Sequence, residues 1–162
     1  MRRFFTWCFA LTIAAGAACA QPARPLDRAE GPVLEDLEVV QYAGLSEKIF
    51  AALLEATPSA SFHYGADYDV TYALRGTGLL TVKFFDGKAG FFRLVMEHAL
   101  PSAEDLLWLL GIDADGLALA EERDVTKSWR GYQDAVPLQE VTAIHDGGWK
   151  VAVVKVAGYA HD

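Results

Sequence analysis

Between residues 68 and 97 the chain alternates apolar and polar side chains with a period of two, broken by two tight turn signals. Tyr68, Val70, Tyr72 and Leu74 alternate with Asp69, Thr71, Ala73 and Arg75, the pattern of a strand with one buried face. Gly76-Thr77-Gly78 then turns the chain into a second strand over 79–85, and Asp86-Gly87-Lys88 turns it into a third over 89–97. The expectation is a meander of three antiparallel strands.

The register of the second hairpin follows from its side chains. A two-residue Asp86-Gly87 loop pairs Phe85 with Lys88 and sets Leu80, Val82 and Phe84 on the same face as Arg93. A three-residue loop, with Gly87 left-handed, instead aligns them with Phe92, Leu94 and Met96. The second arrangement gives one apolar face and is expected. It leaves Thr81, Lys83, Phe85, Phe91, Arg93 and Glu97 on the other face, where two phenylalanines sit among polar neighbours and call for a cover or a ligand.

The flanking segments supply the rest of the fold. Leu45, Ile49, Ala52, Leu53 and Ala56 recur at helical spacing, and Thr57-Pro58 stops the run, so a first helix is expected over 45–56. Residues 33–42 suit a helix or a strand equally. A second, short helix begins at Pro101-Ser102: Ser102 stands at the N-cap, Glu104 and Asp105 fill the first turn, and Gly111 suits the C′ position. It is almost wholly apolar after Asp105, which implies burial on several sides. Strands are expected over 117–122, 126–132, 137–144 and 149–156, the last two joined by the His145-Asp146-Gly147-Gly148 turn. Val151 to Val154 reads as buried on both faces. No internal repeat is visible.

At 162 residues, with 52% hydrophobic and 22% charged residues, the chain has room for one domain and enough apolar content to build a core. The expected fold class is therefore α+β: a mostly antiparallel sheet of hairpins with two main helices, forming a single globular domain over 33–158.

Residues 1–20 stand apart. Arg2 and Arg3 precede an uncharged stretch ending in Ala18-Cys19-Ala20, and Gln21-Pro22 follows, as in a secretory signal peptide cleaved after Ala20. Residues 21–32, with Pro22, Pro25 and Pro32 among charges, read as a flexible leader. The expected location is periplasmic or secreted. Gly16-Ala17-Ala18-Cys19 also resembles a bacterial lipobox, although Gly16 replaces the large aliphatic residue that the pattern favours, so a lipoprotein anchored at Cys19 is the alternative. Cleavage removes two arginines and no acid, which takes the net charge from −8 to −10. It also removes Cys8 and Cys19, the only cysteines, and with them any disulfide or thiolate chemistry. An acidic chain without a Lys/Arg run is unsuited to nucleic acid. Membrane contact is expected only through lipid on Cys19.

Chemical signals are weak. Asp113, Asp115, Gly116 and Glu122 fall on positions 3, 5, 6 and 12 of an EF-hand loop, but Gly111 holds position 1, and the plainer reading is an acidic turn. His63, His98, His145 and His161 lack metal-ligand spacing, and no nucleophile elbow or phosphate-binding glycine loop is present. No catalytic residue, cofactor or metal is assigned on this reading. The distinctive feature is aromatic density. Phe85, Phe91, Trp129 and Tyr132 have polar neighbours and are the expected contact patch for a partner protein or a small apolar ligand. Two functions therefore stand: a non-catalytic exported binding domain, and a small periplasmic hydrolase drawing on Asp, Glu and His groups such as Asp67/Asp69 or Glu121/Glu122.

Overall fold

A computed structural model describes residues 37–75 and 78–159. The expectations for the signal peptide, the leader, both cysteines, the Gly76-Thr77 turn and His161 lie outside the described residues. A 3-10 turn, Val39–Tyr42, leads into helix α1 (Glu47–Leu54). Four strands follow: β1 (Pro58–Tyr64), β2 (Asp67–Leu74), β3 (Gly78–Phe85) and β4 (Lys88–Leu100). Helix α2 (Ala103–Trp108) and a 3-10 turn, Ala114–Gly116, precede four more: β5 (Ala118–Arg123), β6 (Thr126–Gln133), β7 (Val136–His145) and β8 (Trp149–Val156).

The eight strands of the described residues join one antiparallel sheet in the order β1-β2-β3-β4-β8-β7-β6-β5. Each half is a helix followed by a four-stranded meander, and the last strands of the two halves, β4 and β8, pair at the centre. The element order thus repeats although the sequence does not. The fold is α+β and dominated by antiparallel strands, as expected, with the strands 117–122, 126–132, 137–144 and 149–156 found within a residue or two of their observed ends.

One face of the sheet carries the core. Val70, Tyr72 and Leu74 of β2, Leu80, Val82 and Phe84 of β3, and Phe92, Leu94 and Met96 of β4 are buried there. Across the centre the same layer continues through Ala152, Val154 and Val156 of β8 and Val141 and Ala143 of β7. Both helices pack on this face. Phe50 of α1 inserts among Tyr42, Tyr72, Phe84 and Phe92, with ring centroids between 5.3 and 6.3 Å apart. Leu106 and Leu107 of α2, with Leu110 from the turn that follows it, do the same over β7 and β8. The Tyr72 hydroxyl is buried here without a hydrogen-bond partner among the described residues. Burial, reinforced by the nearby charge of Glu47, pushes its pKa up to about 12.

Several local expectations change. The β3–β4 turn has two residues, Asp86 and Gly87, both left-handed (φ +47° and +75°), which is the type I′ geometry that twists with a hairpin. Phe85 accordingly pairs with Lys88. A bulge then inserts Gly90, so that Phe84 faces Ala89 while Lys83 faces Phe91. The bulge restores the apolar face that the longer loop was expected to give: Leu80 opposes Leu94 and Val82 opposes Phe92. It survives because Ala89 turns its amide and carbonyl to Leu45 and Gly44, with hydrogen bonds of 2.9 and 2.7 Å.

Helix α1 is shorter than the 45–56 expected, ending in left-handed Glu55, and its buried face is Phe50 and Leu54. Ile49 and Leu53 are exposed. The aromatic side chain reaches further into the sheet than its aliphatic neighbours and sets the rotation of the helix. Helix α2 follows its signals closely. Ser102 Oγ accepts the Asp105 amide at 3.0 Å, and Gly111 (φ +68°) occupies C′, with Ile112 N donating to Leu107 O and Gly111 N to Trp108 O. It is not buried all round, because Trp108 points outward and is 71% exposed. Val151 and Val153 are half-buried on the face away from the helices, so β8 is covered on one side only. Residues 58–64 form a further strand beyond those expected, with Ala60, Phe62 and Tyr64 alternating with Ser59, Ser61 and His63.

Candidate functional site: the uncovered sheet face

The side chains that alternate with the core lie on the opposite face, where the described helices contribute nothing. Register defines rows across it. Thr71, Thr81, Arg93, Val153, Thr142, Ser128 and Glu121 follow one another from β2 to β5. A second row runs Asp69, Lys83, Phe91, Lys155 and Glu140. A third brings Leu79, Val95, Val151 and Ile144 together. The centre of the face is therefore mixed, with aliphatic and threonine surface around Phe91 and with Lys83, Arg93 and Lys155 beside it. Arg93 is exposed.

At one corner Lys83 organises an aromatic cluster. Its Nζ lies 4.8 Å from the Tyr64 ring centroid and 4.7 Å from that of Phe85. Tyr64 donates its hydroxyl to Asp69 Oδ1 at 2.5 Å, and Phe62 lies 5.8 Å from the Tyr64 ring. Partial burial, with the hydrogen bond to and the charge of Asp69, holds the Tyr64 phenol well above its usual range. Opposite this corner, Lys155 Nζ donates to Glu140 Oε2 at 2.8 Å, Thr142 donates to Glu140 Oε1 at 3.0 Å, and Ser128 and Thr142 share a hydrogen bond of 3.0 Å. The Lys155 hydrogen bond keeps the Glu140 carboxyl below the ordinary carboxylate range against the opposing effect of burial.

The four aromatic residues expected to form one patch separate in the structure. Phe91 is half-buried at the centre of the uncovered face. Phe85 belongs to the same face but is only 7% exposed, since it lies beneath Lys83 and against Gly90. Trp129 is 4% exposed within the core, and its membership of a surface patch is corrected: β6 turns it toward the helices, and the polar neighbours Lys127 and Arg130 do not set its direction. Tyr132 is 70% exposed, beyond the β6 irregularity between Trp129 and Gly131, and lines a hollow of about 480 Å³ with Leu138, Glu140 and Ala157. Sequence reasoning missed Phe62, Tyr64 and the pivot Lys83. The tight Tyr64-Gly65 turn between two aromatic segments was the available signal.

The titratable groups named for hydrolysis or calcium have other partners. Asp67 Oδ1 accepts the Asp86 amide, Asp69 accepts from Tyr64, and His63 stacks on Tyr68 at 4.9 Å. Asp113 Oδ1 accepts the Asp115 amide and so caps its own turn. Glu121 pairs with Arg123, while Glu122 shares Lys127 with Glu104 of α2, at 3.2 Å each. Among the described residues, no three His, Cys, Asp or Glu side chains gather closely enough to hold a metal ion. No described helix is long and apolar enough to cross a membrane. Comparison with known protein families, curated proteins and solved structures gives no match, so the reading of this chain rests on its own geometry.

Proposed function

We propose that the chain is an exported, non-catalytic binding domain that takes a partner protein or a small apolar ligand on the uncovered face of its sheet. One observation carries this reading: Phe91, Val95, Val151 and Val153 lie at the centre of a sheet face on which no described helix packs, while both helices pack on the opposite face. Apolar side chains interleaved with basic ones on a face that no described helix covers suit an interaction surface. Arg93 stands among these residues and Lys83 and Lys155 beside them, so an apolar ligand bearing an anionic group is the best complement.

The dye 8-anilinonaphthalene-1-sulfonate has that character and serves as the probe. Saturable binding is expected, weakened at least tenfold by Phe91→Asp and unchanged by Trp108→Ala on the helix side. No binding, or binding indifferent to Phe91→Asp, contradicts the proposal. Export is tested on its own by mass spectrometry of the protein from the cells that make it. A chain starting at Gln21 supports it, a lipidated Cys19 moves the domain to a membrane surface, and an unprocessed Met1 chain inside the cell refutes it.

A further inference from the structure

The sheet ends in two edge strands, β1 and β5, both exposed along their whole length. An exposed edge presents unpaired amides and carbonyls and is a template for another strand unless charge, proline or a bulge blocks it. β5 is guarded: Glu121, Glu122 and Arg123 stand on it, held by ion pairs to one another or to Lys127. Among the described residues, β1 has no such guard. Pro58–Tyr64 contains no Asp, Glu, Lys or Arg, and the uncharged run extends from Ala56 to Ala66. Only Pro58 and the adjacent irregularity against β2 limit it, which leaves Ala60 to Tyr64 regular. Phe62 on this strand is 68% exposed.

We propose that β1 is a homodimer interface, at which a second copy of this chain adds its own β1 antiparallel and the two eight-stranded sheets become one. A two-fold contact requires a patch complementary to itself, and β1 meets that requirement. With the axis through Phe62, the two Phe62 rings meet, Ala60 lies opposite Tyr64 of the other copy, and Ser61 lies opposite His63. Small side chains face large ones, aromatics pair across the new strand boundary, and no like carboxylates or ammonium groups are brought face to face.

Charge argues for a copy of this chain over a differently charged partner. β1 offers neither sign for an acidic or basic strand to pair with. The net charge of −8 does not prevent self-association, because the nearest acid row is set back. Asp69 lies one strand behind Phe62 and is engaged by Tyr64. Across the dimer, two Asp69 side chains are three strand spacings apart, about 14 Å, beyond the screening length of about 8 Å at physiological salt. A single strand with one aromatic pair is a small interface, so the dimer is in dynamic equilibrium, with dissociation in the micromolar range.

Sedimentation velocity of the full chain, run over concentrations on both sides of that range, tests the proposal. The wild type is expected to shift from monomer to dimer. Phe62→Lys and Phe62→Glu each place like charges on the axis and are expected to weaken association at least tenfold, with the melting temperature unchanged at concentrations where the wild type is monomeric, because the side chain is exposed. Mixing the two variants is expected to restore a dimer by pairing opposite charges. A wild type that stays monomeric refutes the proposal, as does a dimer indifferent to both substitutions or a monomer that instead captures an extended peptide of another protein on β1. The readout is separate from dye binding at Phe91, so either result stands without the other.

Discussion

Tyr159 packs on Gly90 so closely that a β-carbon on the glycine would lie 2.4 Å from the β-carbon of the tyrosine. The same glycine is the extra residue of the β4 bulge, and Phe85 closes over it from β3. One small residue therefore joins the C-terminal segment, the bulge that sets the β3–β4 register and the aromatic corner beneath Lys83.

Gly90→Ala is expected to destabilise the protein by about 1–3 kcal/mol, the usual cost of overpacking a tight site. Tyr159→Gly in the same chain, which removes the contacting β-carbon, should recover much of the added penalty, whereas Tyr159→Ala, which keeps that atom, should not. Urea denaturation of the single and double variants reads this coupling directly. Additive losses would place the strain elsewhere in the bulge.

Phe50 is the hub of the aromatic cluster in the first half of the fold, fully buried against four rings. Phe50→Ala is expected to cost about 3–5 kcal/mol, as for other buried aromatic truncations. Ile49→Ala, one residue away on the exposed side of α1, should cost less than about 1 kcal/mol by the same measurement.

Tyr72→Phe is expected to leave the fold intact and to raise stability by up to about 1 kcal/mol, since it deletes a buried hydroxyl that has no partner among the described residues. Thermal unfolding of the variant checks the sign. A loss of stability would show that the hydroxyl is satisfied in solution.

Glu140 gives an acid-sensitive contact at the far side of the uncovered face. Its folded pKa is lowered from the ordinary 4.5, chiefly by the Lys155 hydrogen bond. The pair therefore stabilises the fold above the ordinary carboxylate range, and the contribution is lost as pH falls below it and through the lowered folded value. Both side chains are over a third exposed, so screening holds the contribution to within about 1 kcal/mol. Glu140→Gln should lower stability at neutral pH by that amount and flatten the acid limb of the stability profile. An acid limb unchanged by the substitution would contradict the assignment.

Much of the strand layer was legible in the alternation of the sequence. The expectation that Thr81, Lys83, Phe85, Phe91 and Arg93 share a face opposite Leu80, Val82 and Phe84 agrees with the observed pairing of β3 and β4. The route was different: a two-residue turn and a bulge replace the longer loop, because the anchoring of Ala89 to Leu45 and Gly44 is a long-range contact that no local pattern announces. β1 was not expected although Ala60, Phe62 and Tyr64 alternate with Ser59, Ser61 and His63, because the run is short, follows directly on Thr57-Pro58 and, as an exposed edge, carries little apolar bulk. Trp129 was misplaced because polar neighbours in a strand say nothing about which face is covered. That depends on where α2 docks, and Leu106 and Leu107 decide it only once the chain has folded.

The central claim is that the uncovered face, and not the helical side, meets the partner or ligand. A photo-crosslinking amino acid placed at Arg93, and separately at Trp108, in the cells that make the protein tests this most directly. The expected result is a discrete crosslinked species from position 93 that disappears when Phe91→Asp is added, with none from position 108. Crosslinking from Trp108 and not from Arg93 would contradict the claim.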